Sequence, residues 1–93
     1  MIRSFNDSET EKIFDGTFSW KLPKDIQRSA ARKLKIINAA TNINDLRVSP
    51  SNHLKKLKGS KAGVYGIRIN DQWRICFTWS SGHAYNLEIV DYH

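Results

Sequence analysis

The spacing of apolar residues changes character along the chain, from a helical repeat in the first half to strict alternation in the second. Ile26, Ala30, Leu34, Ile37 and Thr41 recur every three or four positions, which is one face of a helix. Lys24, Arg28, Arg32 and Lys35 fall on the opposite face, and Pro23 stands at a favoured first-turn position. The pattern predicts an amphipathic helix over residues 23–40. A shorter helix precedes it, with Asp7 and Ser8 as N-cap candidates, continuation through Phe14 and a stop at Gly16. Residues 2–5 read as a first strand, Ile2 and Ser4 on one face, Arg3 and Phe5 on the other. Residues 42–53 contain Pro50 and several small polar residues and read as loop, with a helical turn at 43–46.

The later half has period two. Tyr65, Ile67 and Ile69 alternate with Gly66 and Arg68, and Asn70-Asp71-Gln72 forms a turn. Trp73, Ile75, Phe77 and Trp79 alternate with Arg74, Cys76 and Thr78, and a second turn follows at residues 80–83. Tyr85, Leu87 and Ile89 then alternate with Asn86, Glu88 and Val90. This is an antiparallel meander with one apolar and one polar face, and residues 54–57 add a strand before it. The order is β-α-α-β-β-β. The expected fold is α+β, two N-terminal helices packed on a small antiparallel sheet, as a single domain over residues 1–93.

Composition narrows the class. The chain is 40% hydrophobic and 26% charged, too apolar for a disordered protein. Its longest uncharged stretch, residues 75–87, is too short to span a bilayer, and the start, Met1-Ile2-Arg3-Ser4-Phe5, is not an apolar leader. A cytoplasmic location away from membranes is expected. A single cysteine, Cys76, excludes an internal disulfide framework and a Cys-based zinc cluster.

The net charge of +6 is unevenly spread. Residues 21–74 hold 13 of the basic residues against Asp25, Asp45 and Asp71, while the two ends hold Arg3 and Lys12 against six acids. A basic middle on a small domain points to a polyanion, most often nucleic acid, although many basic faces are merely solvated.

Several side chains could act on such a partner. Arg68 and Arg74 lie on the polar faces of neighbouring strands around a short turn, and Gly66 leaves room beside Arg68. Upstream runs Leu54-Lys55-Lys56-Leu57-Lys58-Gly59-Ser60-Lys61. These cations can converge on phosphates, or serve only as edge-strand charges that prevent aggregation. The chain ends Asp91-Tyr92-His93, three proton-bearing groups in a row. RNA cleavage needs a base for the 2′-hydroxyl, cations for the phosphate and an acid for the leaving oxygen, with no metal or cofactor. Terminal residues are also often frayed and inert. His53, His83 and His93 lack metal-ligand spacing, and there is no Gly-rich phosphate loop or serine elbow. Trp73, Phe77 and Trp79 share a strand face with Ile75, which reads as core before base-stacking surface.

In combination these blocks become recognisable. Met1-Ile2-Arg3-Ser4-Phe5, Leu57-Lys58-Gly59, the run Ile67-Arg68-Ile69-Asn70-Asp71-Gln72-Trp73-Arg74-Ile75-Cys76-Phe77, and Glu88-Ile89-Val90-Asp91-Tyr92-His93 resemble the HigB-type plasmid-maintenance killer proteins of the RelE/ParE toxin superfamily, essentially end to end. The resemblance implies a RelE-like fold and a type II toxin. It further implies an mRNA endonuclease working on translating ribosomes, held silent by a HigA-like helix-turn-helix antitoxin, the complex binding its own operator DNA. Asp91, Tyr92 and His93 match the family's functional C-terminus, Arg74 its arginine after tryptophan, and Lys58 the lysine of its Leu-Lys-Gly step. Where some members carry a catalytic histidine in Leu-His-Pro-Leu-Lys-Gly, this chain has Lys55, with Lys56 next to it and His53 two residues before Lys55. The role then falls to His53 or Lys55, or the acid–base work rests on His93 and Tyr92. Two rival readings remain: a gyrase-binding toxin without chemistry, like the ParE branch, and a decayed toxin kept as a co-repressor.

Overall fold

The structure is a computed structural model and describes residues 1–57 and 63–92. Two helices come first, α1 (Ser8–Phe14) and α2 (Lys24–Ala39). Two short 3-10 turns follow, Ile43–Arg47 and Pro50–Asn52. Then come four strands, β1 (Lys55–Lys56), β2 (Val64–Arg68), β3 (Trp73–Ser80) and β4 (His83–Asp91). The strands form one antiparallel sheet in the order β1-β2-β3-β4, and the helices pack on one of its faces. The expected α+β architecture is present.

The helical stripe is the core. Ile26, Ala30, Leu34 and Ile37 are buried against Ile67, Ile75, Phe77, Leu87 and Ile89 of the sheet. Thr41 is exposed, because the helix ends at Ala39 and Ala40 turns to extended backbone (φ −69°, ψ 136°). Pro23 caps α2 from extended backbone (ψ 135°), one residue earlier than its expected first-turn place. Gly16 (φ +84°) follows the end of α1 in the left-handed region that favours glycine, the expected stop. The β3–β4 hairpin turns on Ser81 and Gly82, both with positive φ, as a tight two-residue connection requires.

Two readings of the sequence are corrected, and one residue causes both. Asn86 adopts left-handed backbone (φ +58°) and makes a β-bulge in β4 opposite the Cys76–Thr78 segment. The extra residue shifts the alternation. Tyr85 pairs with Thr78 on the polar side of the sheet, and only Leu87 and Ile89 share the core face with Ala84. The same bulge interrupts pairing with the N-terminal segment. Ile2 and Phe5 make isolated parallel bridges to Ala84 and Leu87, not a continuous strand. Between them the Asn86 N–H is turned to the Ser4 hydroxyl at 2.9 Å. The element order therefore begins with α1.

One buried cation sits within the helical layer. Lys33 is 5% exposed, and its Nζ donates to Asn52 Oδ1 at 2.6 Å and Ser51 Oγ at 3.3 Å. Asn52 in turn donates to the Leu46 carbonyl at 3.1 Å. Lys33 thereby ties α2 to the loop that leads into β1. Desolvation, with a smaller contribution from the Arg32 charge, pushes Lys33 below the ordinary lysine range. The unfolded chain binds this proton more tightly, so stability rises with pH between the folded and the ordinary value. Thermal melts across that window should show a rise in wild type that is flattened in Lys33→Met. Parallel curves would show that Lys33 titrates as an exposed lysine.

Candidate active site

The sheet face turned away from the helices collects the candidate residues. Strand alternation puts Gly66 and Arg68 of β2, Arg74 and Cys76 of β3, and Glu88 and Val90 of β4 on this side. The register aligns Lys55, Gly66, Cys76 and Glu88 in one row across the sheet. In the next row Arg68 lies directly opposite Arg74, followed by Val90.

Two cations directly opposite each other on adjacent strands repel. Each is handled differently. Arg68 forms an ion pair with Asp71 in the β2–β3 turn. Arg74 is in no ion pair among the described residues. Its guanidinium lies 4.7 Å from the centre of the Tyr92 ring, a cation–π contact. Its Nη1 is buried without a hydrogen-bond partner among the described residues. A buried unpaired guanidinium nitrogen is rare and demands an explanation.

Tyr92 is 41% exposed, so the ring that covers Arg74 also faces solvent. Gln72 holds this end of the chain in place. Its side-chain amide donates to Asp91 Oδ2 at 3.1 Å, and its carbonyl accepts from the Tyr92 N–H. The turn is itself fixed by Asn70 Oδ1, which accepts from the N–H groups of Gln72 and Trp73, each at 2.8 Å. The rigid β2–β3 turn therefore positions Arg68, Arg74, Asp91 and Tyr92 together.

The remaining candidates divide. Lys55 shares the row of Gly66, on the face of Arg74. Lys56 pairs with Tyr65 and alternates to the other side. His53 is exposed, ends the Pro50–Asn52 turn in left-handed backbone (φ +46°), and lines a cavity of about 190 Å³ with Arg47, Ser49, Pro50 and Leu54. Lys58 and His93 lie outside the described residues. A Cβ added at Gly66 would meet Ile75 O and Leu57 Cδ2 at 3.7 Å and Cys76 Sγ at 3.8 Å, ordinary contact, so the glycine is not sterically required and the expected room beside Arg68 is already lined by these neighbours. Burial, and then the Glu88 carboxylate, push the Cys76 thiol up, with Arg74 offsetting part of the shift. A thiol held protonated is a poor nucleophile. Sequence reading missed Asp71 and Gln72. Both stand in the recognised turn, but Asp71 pairs locally with Arg68, whereas the partner of Gln72, Asp91, depends on how the C-terminal strand crosses the turn.

Comparison with known proteins shows the family and the fold. The chain matches, over residues 3–93, the family described as the RelE-like toxin of the type II toxin–antitoxin system HigB. It is 36% identical to Toxin HigB-1 of Vibrio cholerae, over 92% of each chain. It is 35% identical to Endoribonuclease HigB of Proteus vulgaris, over the full length of both. An uncharacterised protein of Haemophilus influenzae is 40% identical, over 72% of this chain and 66% of that one. A solved structure of the YoeB dimer from Staphylococcus aureus shares the fold at TM-score 0.63 with 20% identity, over 99% of this chain and 97% of that one. The chain belongs to the HigB-like toxins, a RelE-like family of type II toxin–antitoxin systems. Membership implies an antitoxin partner. No helix among the described residues is long and apolar enough to cross a membrane.

Proposed function

We propose that this chain is a ribosome-dependent mRNA endonuclease that stops translation and is silenced by a HigA-like antitoxin, the complex repressing its operon. The scissile phosphate lies against the face of Arg74. The observation that carries this reading is the buried Nη1 of Arg74, unpaired among the described residues and directly across the sheet from a second arginine. A phosphate would satisfy the orphaned donor and relieve the repulsion between the two cations.

In the mechanism, the 2′-hydroxyl loses its proton to a base and attacks the adjacent phosphorus. Arg74, with Lys58 and Lys55, stabilises the charge that develops on the phosphoryl oxygens. His93 and Tyr92 supply the base and acid, or His53 takes one of these roles. Asp91 holds the C-terminal residues in position. The leaving 5′-oxygen takes a proton, giving a 2′,3′-cyclic phosphate and a 5′-hydroxyl; attack of water on the cyclic phosphate, with return of a proton to the 2′-oxygen, would then give the 3′-phosphate. No step calls on a metal. The relative named an endoribonuclease supports the chemistry.

Docking on ribosomal RNA suits the basic surface, because phosphate contacts position without reading sequence. Expression without antitoxin should arrest growth and protein synthesis. Mapping mRNA 5′ ends should show new ends only while translation is active. Efficient cutting of naked mRNA by the pure protein would remove the ribosome requirement. Arrest with intact mRNA and inhibited gyrase would replace the nuclease by the ParE-type binder. Normal growth at high soluble expression would leave only the co-repressor.

A further inference from the structure

The helical side of the molecule carries features that phosphate chemistry does not use. The segment between α1 and α2 exposes two aromatic rings, Trp20 at 90% and Phe18 at 42%. They pack edge-to-face with centroids 4.8 Å apart, so each ring's nearest aromatic neighbour is the other and not the core. Beside Phe18 a groove of about 480 Å³ runs between α1 and α2, lined by Ile13, Thr17, Phe18, Gln27, Arg28 and Ala31. Along its α2 side Lys24, Arg28, Arg32 and Lys35 form an exposed stripe, none of them in an ion pair among the described residues.

Large exposed aromatics at the lip of an apolar groove mark an interaction surface, and tryptophan and arginine are the residues that most often dominate binding energy. We infer that Phe18, Trp20 and the α1–α2 groove are the docking surface for an acidic amphipathic segment of the antitoxin. The inference rests on the toxin reading above and names where its partner binds.

Charge selects the occupant. A row of unpaired cations beside an apolar groove is complementary to a segment with apolar residues along one stripe and carboxylates flanking it, the helix-in-groove mode of recognition. A second copy of this chain brings another +6 and is repelled. RNA would meet the cations but leave the groove and Phe18 unfilled.

The test uses the full chain and, as antitoxin, the protein encoded by the adjoining reading frame. Affinity is measured by calorimetry for wild type, Trp20→Ala, Arg28→Lys and the double variant Arg28→Glu/Arg32→Glu. Trp20→Ala should weaken binding by roughly tenfold or more, and the charge reversals by more still, with the latter loss shrinking at high salt. Arg28→Lys should stay near wild type. Both altered sites are exposed, so melting temperatures should not change. In cells Trp20→Ala should remain toxic alone yet escape neutralisation by the co-expressed antitoxin.

Wild-type affinity in both Trp20→Ala and the charge-reversed variant overturns the assignment. So does a wild-type dimer that Trp20→Ala dissolves while antitoxin affinity holds, which would give the face to a second copy. Loss of ribosome binding without loss of antitoxin affinity would give the cationic stripe to RNA. If wild type neither arrests growth nor binds the adjoining protein, the toxin reading itself fails. If it does both and the variants bind equally well, only this docking surface fails.

Discussion

Arg74→Ala is expected to abolish toxicity while the protein still folds and still binds its antitoxin. Arg74 is the cation on the sheet's open face that has no anion among the described residues and has a buried donor to spare. Removing a group that stabilises developing charge costs about 3 kcal/mol, roughly a hundredfold in rate. Folding should survive because Arg74 points away from the core, and its removal ends a like-charge pairing with Arg68. The melting temperature should therefore hold near wild type, the lost contact with Tyr92 being the opposing effect. Arg74→Lys should recover only part of the activity, since a single ammonium cannot bind a phosphate bidentately. Arg68→Ala should be milder, because that guanidinium is already engaged by Asp71. His93→Ala removes the proposed proton-transfer group and should cost ~10²–10⁴-fold. Growth assays and in-vitro translation with each variant decide the matter. If Arg74→Ala and His93→Ala both remain fully toxic, this face is not the active site and the gyrase binder becomes the better account.

How much of this was legible in the sequence depended on whether the signal was local. The α2 stripe was readable because a regular helix keeps one period from end to end. Lys33 belongs to the same stripe, three residues after Ala30 and four before Ile37, so helical geometry already placed it on the buried side. Its charge argued for exposure, and only the approach of Asn52 and Ser51 makes the burial tolerable. The pairing of Arg68 with Arg74 followed from two alternating runs joined by a short turn. The shift at Asn86 did not. A period of two carries straight through a bulge in sequence, and one asparagine in left-handed backbone moved Tyr85 to the other face and sits between the two isolated N-terminal bridges. The surface around Phe18 and Trp20 was also invisible, because apolar residues between two helices look like core until the fold leaves them outside.

Phe77→Ala should fail in a different way from Arg74→Ala, by loss of the fold. Phe77 is 2% exposed at the middle of β3, on the strand that carries Arg74. Its ring centroid is 6.3 Å from that of Tyr65 and 6.5 Å from that of Trp79, one aromatic layer beneath the helices. Truncating a buried phenylalanine costs about 3–5 kcal/mol, from lost transfer energy and the cavity left behind. Small domains have only about 5–15 kcal/mol in total. At about 4–8 °C per kcal/mol for a domain of this size, the melting temperature should fall by roughly 12–40 °C. Toxicity would then vanish together with soluble protein, whereas Arg74→Ala stays soluble and folded. Phe77→Leu refills most of the volume and should keep much of the stability and the toxicity. Trp73→Ala should lose less than Phe77→Ala, since Trp73 is only half-buried at the rim of the core. Circular-dichroism melts on the three variants, run beside growth assays, separate the layer that supports β3 from the face proposed to meet RNA. A soluble, fully folded and inactive Phe77→Ala would show that this ring acts on the active site and does more than hold up the strand.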